Sequence, residues 1–194
     1  MMENLILYLK LGWEHIVSLE ATDHQLFLLA LVAPFVAKDF KKILILITAF
    51  TIGHCLTLAL SSSGTVRISS YWIELLIPFT IFLTAGFRVL HSTTGKKTAT
   101  DFNSLYSMAG LFGLVHGLGF ANTLKSLLGR EQSILVPLAG FNIGIELGQM
   151  AVLAILLMAR QVFQSFFPDG TKVWVLAISF FAGAGSIWMM WERI

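Results

Sequence analysis

The chain has 194 residues, of which 12% are charged and 56% hydrophobic, with a formal net charge of +2 and a mean hydropathy of +0.80. The charged share is half the roughly 25% of soluble domains, and a chain this small has too much surface per volume to bury so much apolar area in water. A cytosolic enzyme, a disordered tail and a nucleic-acid-binding module are excluded. The single cysteine, Cys55, excludes an internal disulfide and a cysteine-cluster metal site. What remains is an all-α polytopic membrane bundle forming one integral membrane domain over 1–194.

Residues 3–20 mix Lys10, Glu14 and Glu20 with Leu5, Ile6, Leu9, Trp13, Ile16 and Val17. That mixture predicts an interfacial or re-entrant helix over 1–21. The opening Met1-Met2-Glu3-Asn4 has no basic stretch of the kind a cleavable signal peptide carries. Thr22 and Gln25 have the spacing of a capping box, so the next helix is expected to start at Thr22. Six crossings are expected between 22 and 192: a short one over about 23–37, then about 42–62, 70–90, 103–128, 132–160 and 172–191. Each of the last five is long enough for about 30 Å of hydrocarbon. The connections are short and polar, with Pro168-Asp169-Gly170 marking a tight turn. The longest connection is 91–102. Its Ser92-Thr93-Thr94-Gly95-Lys96-Lys97-Thr98 lacks the first glycine and the closing Ser or Thr of a phosphate loop.

Orientation follows the basic residues. With the loop after the first crossing inside, Lys38, Lys41, Lys42, Arg88, Lys96, Lys97, Arg160 and Lys172 are cytoplasmic. Lys10, Arg67, Lys125, Arg130 and Arg193 are outside. The excess of eight over five predicts a multi-pass protein with both termini out, towards the periplasm if the source is a Gram-negative bacterium.

Ionisable groups inside a bilayer cost about 2.5–3.5 kcal/mol each, so the few present carry information. Glu14, His15, Asp23 and His24 cluster at the outer boundary. His54 follows on the second crossing, on a stripe with Thr51 and Thr57, and His116 on the fourth, beside the small residues Gly113, Gly117 and Ala121. Asn142, Glu146 and Gln149 are spaced to share one helix face, next to a stripe of Gly140, Gly144 and Gly148 that can serve internal packing or a dimer. Glu74 lies near the outer end of the third crossing and His91 near its inner end. Four of the five histidines thus fall in the outer half of the membrane. Imidazole with carboxylate suits a divalent transition metal such as nickel, cobalt, zinc, iron or copper. Each residue also has a bland reading: a helix cap for Asp23, hydrogen-bonded packing for His54 and Glu146, helix packing for the glycines.

The blocks Gly12-Trp13-Glu14-His15-Ile16, Asp23-His24-Gln25-Leu26-Phe27, Phe50-Thr51-Ile52-Gly53-His54, His116-Gly117-Leu118-Gly119-Phe120 and Gly144-Ile145-Glu146-Leu147-Gly148-Gln149 resemble the HupE/UreJ family of hydrogenase- and urease-associated membrane proteins, in its short Bacteroidetes-type form. The resemblance implies nickel or cobalt uptake through His15, Asp23, His24, His54, His116 and Glu146. Ala21-Thr22-Asp23-His24 departs from the family's Gly-x-Asp-His, and the gap from His15 to Asp23 is one residue longer. The leading expectation is a permease or metal-binding membrane protein for nickel, cobalt or zinc, with Glu14, Asn142, Gln149, Thr51 and Glu74 around the ligands. The alternative is an intramembrane metal-dependent hydrolase with Glu146, Glu14 or Glu74 as base.

Overall fold

A computed structural model describes residues 2–94, 102–128 and 134–194; most of the 91–102 connection lies outside the described residues. They form seven α-helices in chain order: α1 (Met2–Val17), α2 (Thr22–Val32), α3 (Phe40–Ser62), α4 (Ser70–Thr94), α5 (Phe102–Leu128), α6 (Leu135–Phe166) and α7 (Thr171–Trp191). No strand occurs among the described residues. Four helical stretches are long and apolar enough to cross a membrane: Ala37–Ser62, Ser70–Thr93, Leu135–Phe166 and Thr171–Trp191. Within α5 the apolar core is the shorter Leu105–Ala121. Large apolar side chains on the outside of the bundle, among them Ile52 at 59%, Phe180 at 63% and Trp188 at 63% exposed, suit a lipid surroundings rather than water.

The crossing expected over 23–37 holds a helix of only half the needed length, and α1, expected to lie at the interface, packs along α6 instead. α2 has 11 residues, about 16 Å of rise and about half the hydrocarbon thickness. It ends ahead of Pro34, which has no N–H to offer the Ala30 carbonyl one turn earlier. The Thr22–Gln25 capping box is absent as well. The Thr22 hydroxyl donates back to the Leu19 carbonyl at 3.1 Å. Gln25 Nε2 donates to the carbonyls of Ile16 (3.2 Å) and Ser18 (2.8 Å), the last acceptors of α1. Gln25 therefore closes the end of the preceding helix instead of the start of its own, and joins α1 to α2.

Glycine decides the closest packing. α1 lies parallel to α6. A Cβ on Gly12 would stand 2.0 Å from the Phe141 carbonyl oxygen, and one on Gly144 2.1 Å from that of Leu9. Gly140 faces Leu5 and Gly148 faces Ile16, so the 140/144/148 stripe is filled by α1 of the same chain and is not free for a dimer. α3 and α5 are also parallel. A Cβ on Gly113 would stand 2.1 Å from the Phe50 carbonyl oxygen, and one on Gly117 2.2 Å from that of His54. Backbone-to-backbone contact of this kind is how membrane helices associate where no hydrophobic force favours one apolar neighbour over another.

α4 and α7 form a third pair, antiparallel. Pro78 inside α4 has no N–H to offer the Glu74 carbonyl one turn earlier. The Arg193 guanidinium, just past the end of α7, donates to that carbonyl instead. α2 fits between the pairs, running alongside α4 and against α7 and α6.

Candidate metal centre

His15 is in the last turn of α1 and His24 in the first turn of α2. The break at 18–21 therefore brings two residues nine apart in sequence into ring contact, with centroids 4.6 Å apart. His54 on α3 lies 5.7 Å from His15 and 5.9 Å from His24; His116 on α5 lies 5.2 Å from His24. The glycine-mediated approach of α5 to α3 makes this possible, since Gly113 and Gly117 flank His116 and touch the backbone at Phe50 and His54. His24, His54 and His116 are at most 3% exposed. The cluster lies about 12 Å from the Ser62 end of α3 and about 21 Å from its Phe40 end, at 1.5 Å rise per residue.

The hydrogen bonds leave the imidazoles ready to ligate. His24 Nδ1 stands 2.9 Å from Asp23 Oδ1, which also accepts the His24 backbone N–H at 2.8 Å. An ionised carboxylate only accepts, so Nδ1 carries the proton and Nε2 keeps its lone pair. His116 Nδ1 donates to the Phe112 carbonyl at 2.8 Å, with the same result. Among the described residues, five buried imidazole nitrogens have no hydrogen-bond partner: Nε2 of His15, His24 and His116, and both nitrogens of His54. Buried polar atoms are normally satisfied, so this concentration of orphans in one place is the strongest sign of a ligand. One potential ligand atom from each of His15, His24 and His54 lies within 4.8 Å of the others. Nitrogens at about 2.1 Å from one tetrahedral ion are about 3.4 Å apart, so the three donors must draw together by up to about 1.4 Å to hold one ion. The residues fit a transition metal bound through nitrogen.

Asp23 acts on the site through His24. Its contact repeats the carboxylate–histidine arrangement that fixes tautomer and ring orientation in metal sites. Asp23 also lines a cleft of about 760 Å³ with Glu14, His15, Glu20, Phe120 and Thr123. The cleft opens at the Ser62 end of the bundle and carries three carboxylates towards the imidazoles. Glu20 is not singled out by any motif; only the break between α1 and α2 brings it to the cleft.

Glu146 stands apart. Its carboxylate accepts the Thr48 hydroxyl at 2.6 Å, in a groove between α3 and α6 that also holds Cys55 and Asn142. Asn142 donates to Cys55 Sγ and to the Leu138 carbonyl, and buried Gln149 accepts the Thr51 hydroxyl at 3.0 Å. The three residues do share a face, as their spacing predicts, and it meets α3 at Thr48, Thr51 and Cys55. Glu74 is exposed, and His91 turns its Nδ1 to the Phe87 carbonyl at the other end of α4.

Comparison with characterised proteins and with solved structures returns no match. A family model described as HupE / UreJ protein matches residues 1–193. That family is associated with nickel and cobalt transport, in keeping with a histidine cluster among membrane helices. With the match running almost from end to end, the chain belongs to the HupE/UreJ family.

Proposed function

We propose that this protein is a nickel- or cobalt-type divalent-metal permease of the bacterial cell membrane. The broken α1–α2 element counts as the first of six crossings, with α3 to α7 as the other five. The acidic cleft opens on the outer face. Glu14, Glu20 and Asp23 gather hydrated cations there by raising the local cation concentration. His15, His24, His54 and His116 then take the ion as neutral ligands, and Asp23 holds His24 in the ligating tautomer. Removing the ion's water needs replacement ligands, which four imidazoles supply; neutral nitrogen donors bind loosely enough to exchange.

The single observation that carries this reading is the group of buried, partnerless imidazole nitrogens on His15, His24 and His54, within 4.8 Å of one another. The hydrolytic alternative needs a carboxylate base beside the ion; Glu146 meets Thr48 and Glu74 is exposed, which leaves it Glu14, on the cleft with His15. The test is nickel and cobalt uptake by proteoliposomes, with equilibrium binding on the same protein. His54→Ala and His116→Ala are expected to abolish uptake and weaken binding while leaving the helical signal intact. Equal uptake and metal content in parent and variants would end the proposal.

A further inference from the structure

The path beyond the cluster is shut. Past His24 and His116, towards the Lys38 end, come Phe27, Leu28, Leu31, Ile43, Leu46 and Ile47, all at most 2% exposed. Phe27 stacks on Phe50 at 4.8 Å directly beneath the imidazoles. The void beside Val32, Ala33 and Arg160 measures about 10 Å³, at the lower limit for one water. An ion that enters by the cleft has no way onward in this conformation.

α2 is held differently from its neighbours. α1 is locked to α6, and α3 to α5, by main-chain contacts that no side-chain rotation can relax. α2 contains no glycine. Its close approach to α7 is made by the flexible end of Leu26 against Gly185. It is flanked by the non-helical segments 18–21 and 33–36. Its far end is held by two arginines from other helices. Arg88 of α4 donates to the carbonyls of Ala30 (3.3 Å) and Leu31 (2.5 Å), and Arg160 of α6 to that of Ala33. These are the orphan acceptors of a helix C-terminus, where the dipole favours a cation. Both guanidiniums are at most 4% exposed, and neither has an ion-pair partner among the described residues.

We propose that α2 is the inner gate of the permeation path, latched shut by Arg88 and Arg160. This rests on the permease reading of the histidine cluster. α2 carries His24 at one end and the latched carbonyls at the other. Its swing about 18–21 and 33–36 therefore withdraws a ligand from the ion and opens the apolar plug in one movement.

The experiment uses a Cys55→Ala background with Ala30→Cys as reporter, in inverted vesicles treated with a membrane-impermeant maleimide from the Lys38 side. Ala182→Cys, fully buried on α7, is the control reporter. Arg88→Gln or Arg160→Gln is expected to speed labelling of Ala30→Cys by about tenfold or more, the effect of losing a charged hydrogen bond on an opening equilibrium. Arg160→Lys is expected to stay near the parent, and Ala182→Cys to stay unlabelled throughout. Unchanged labelling in both glutamine variants overturns the gate. So does equal labelling of the two reporters, which would mean general loosening. The readout needs no metal: if His54→Ala and His116→Ala leave metal uptake untouched while the arginine variants still speed labelling, the permease reading fails and the hinged α2 stands.

Discussion

Alanine in place of Gly12 tests whether backbone contact sets the metal centre. In a helix interior alanine is favoured over glycine by about 1 kcal/mol, so the change stabilises wherever there is room. At Gly12 there is none. The new Cβ would stand 2.0 Å from the Phe141 carbonyl oxygen, and real Cβ atoms essentially never come within 3.0 Å of a neighbour. The obstacle is main chain on a 32-residue helix, so α1 must retreat by about 1 Å or more. Gly86 on α4 is the matched control, with nothing within 4 Å of its Cβ. Both variants share the propensity gain, and their difference isolates the clash, which at the usual cost of overpacking is about 1–3 kcal/mol. His15 is three residues beyond Gly12 and retreats with α1. A ligand displaced by that much exceeds the roughly 0.2 Å tolerance of a metal site. Thermal unfolding in lipid nanodiscs and calorimetric nickel titration read the two effects. Gly86→Ala should match or exceed the parent in stability and bind metal as the parent does. Gly12→Ala should melt lower and bind at least about tenfold more weakly. A Gly12→Ala protein as stable and as tight-binding as Gly86→Ala would refute the reasoning.

Other outcomes follow from the same geometry. Asp23→Asn removes the charged acceptor of His24 Nδ1 and is expected to weaken metal binding by about 10–100-fold, with loss of helix content excluded by circular dichroism. Glu146→Gln keeps a group able to meet Thr48 and lies away from the imidazoles; equilibrium dialysis should give metal affinity within about twofold of the parent, because binding differences arise from groups that touch the ion or orient its ligands. The double change Glu14→Gln and Glu20→Gln should slow metal association several-fold at low salt, with the difference fading as ionic strength rises; stopped-flow kinetics at two salt concentrations would read it.

The helices and the histidines of the candidate site were legible along the chain because hydropathy and rare intramembrane imidazoles are local signals. His15, His24, His54 and His116 are named by their type and depth, and the structure brings them together. The break in the first crossing was not legible, since a hydropathy window reads a continuous apolar run the same way whether or not its hydrogen-bond ladder is interrupted. Gln25 illustrates this. Its spacing from Thr22 fits a capping box, yet the carbonyls of α1 lie closer and take its amide. Glu146 shows the second gap: spacing tells which residues share a face, but not which neighbour the face meets. By position along the chain Arg88 and Arg160 read as cytoplasmic flanking charges, whereas both are buried caps on α2. One sign of this was available, since α2 ends without a glycine or a cation of its own to satisfy its last carbonyls.

The glycine seams have a bearing on how freely this chain can drift. The spacing between α3 and α5, and between α1 and α6, is measured by main-chain atoms that every amino acid shares. Apolar side chains around the seams can be exchanged for one another without retuning the distance between imidazoles. At the few positions where a hydrogen stands in for a side chain, even the smallest addition changes the gauge, so inheritance should be tolerant across the lipid-facing surface and unforgiving along two narrow lines.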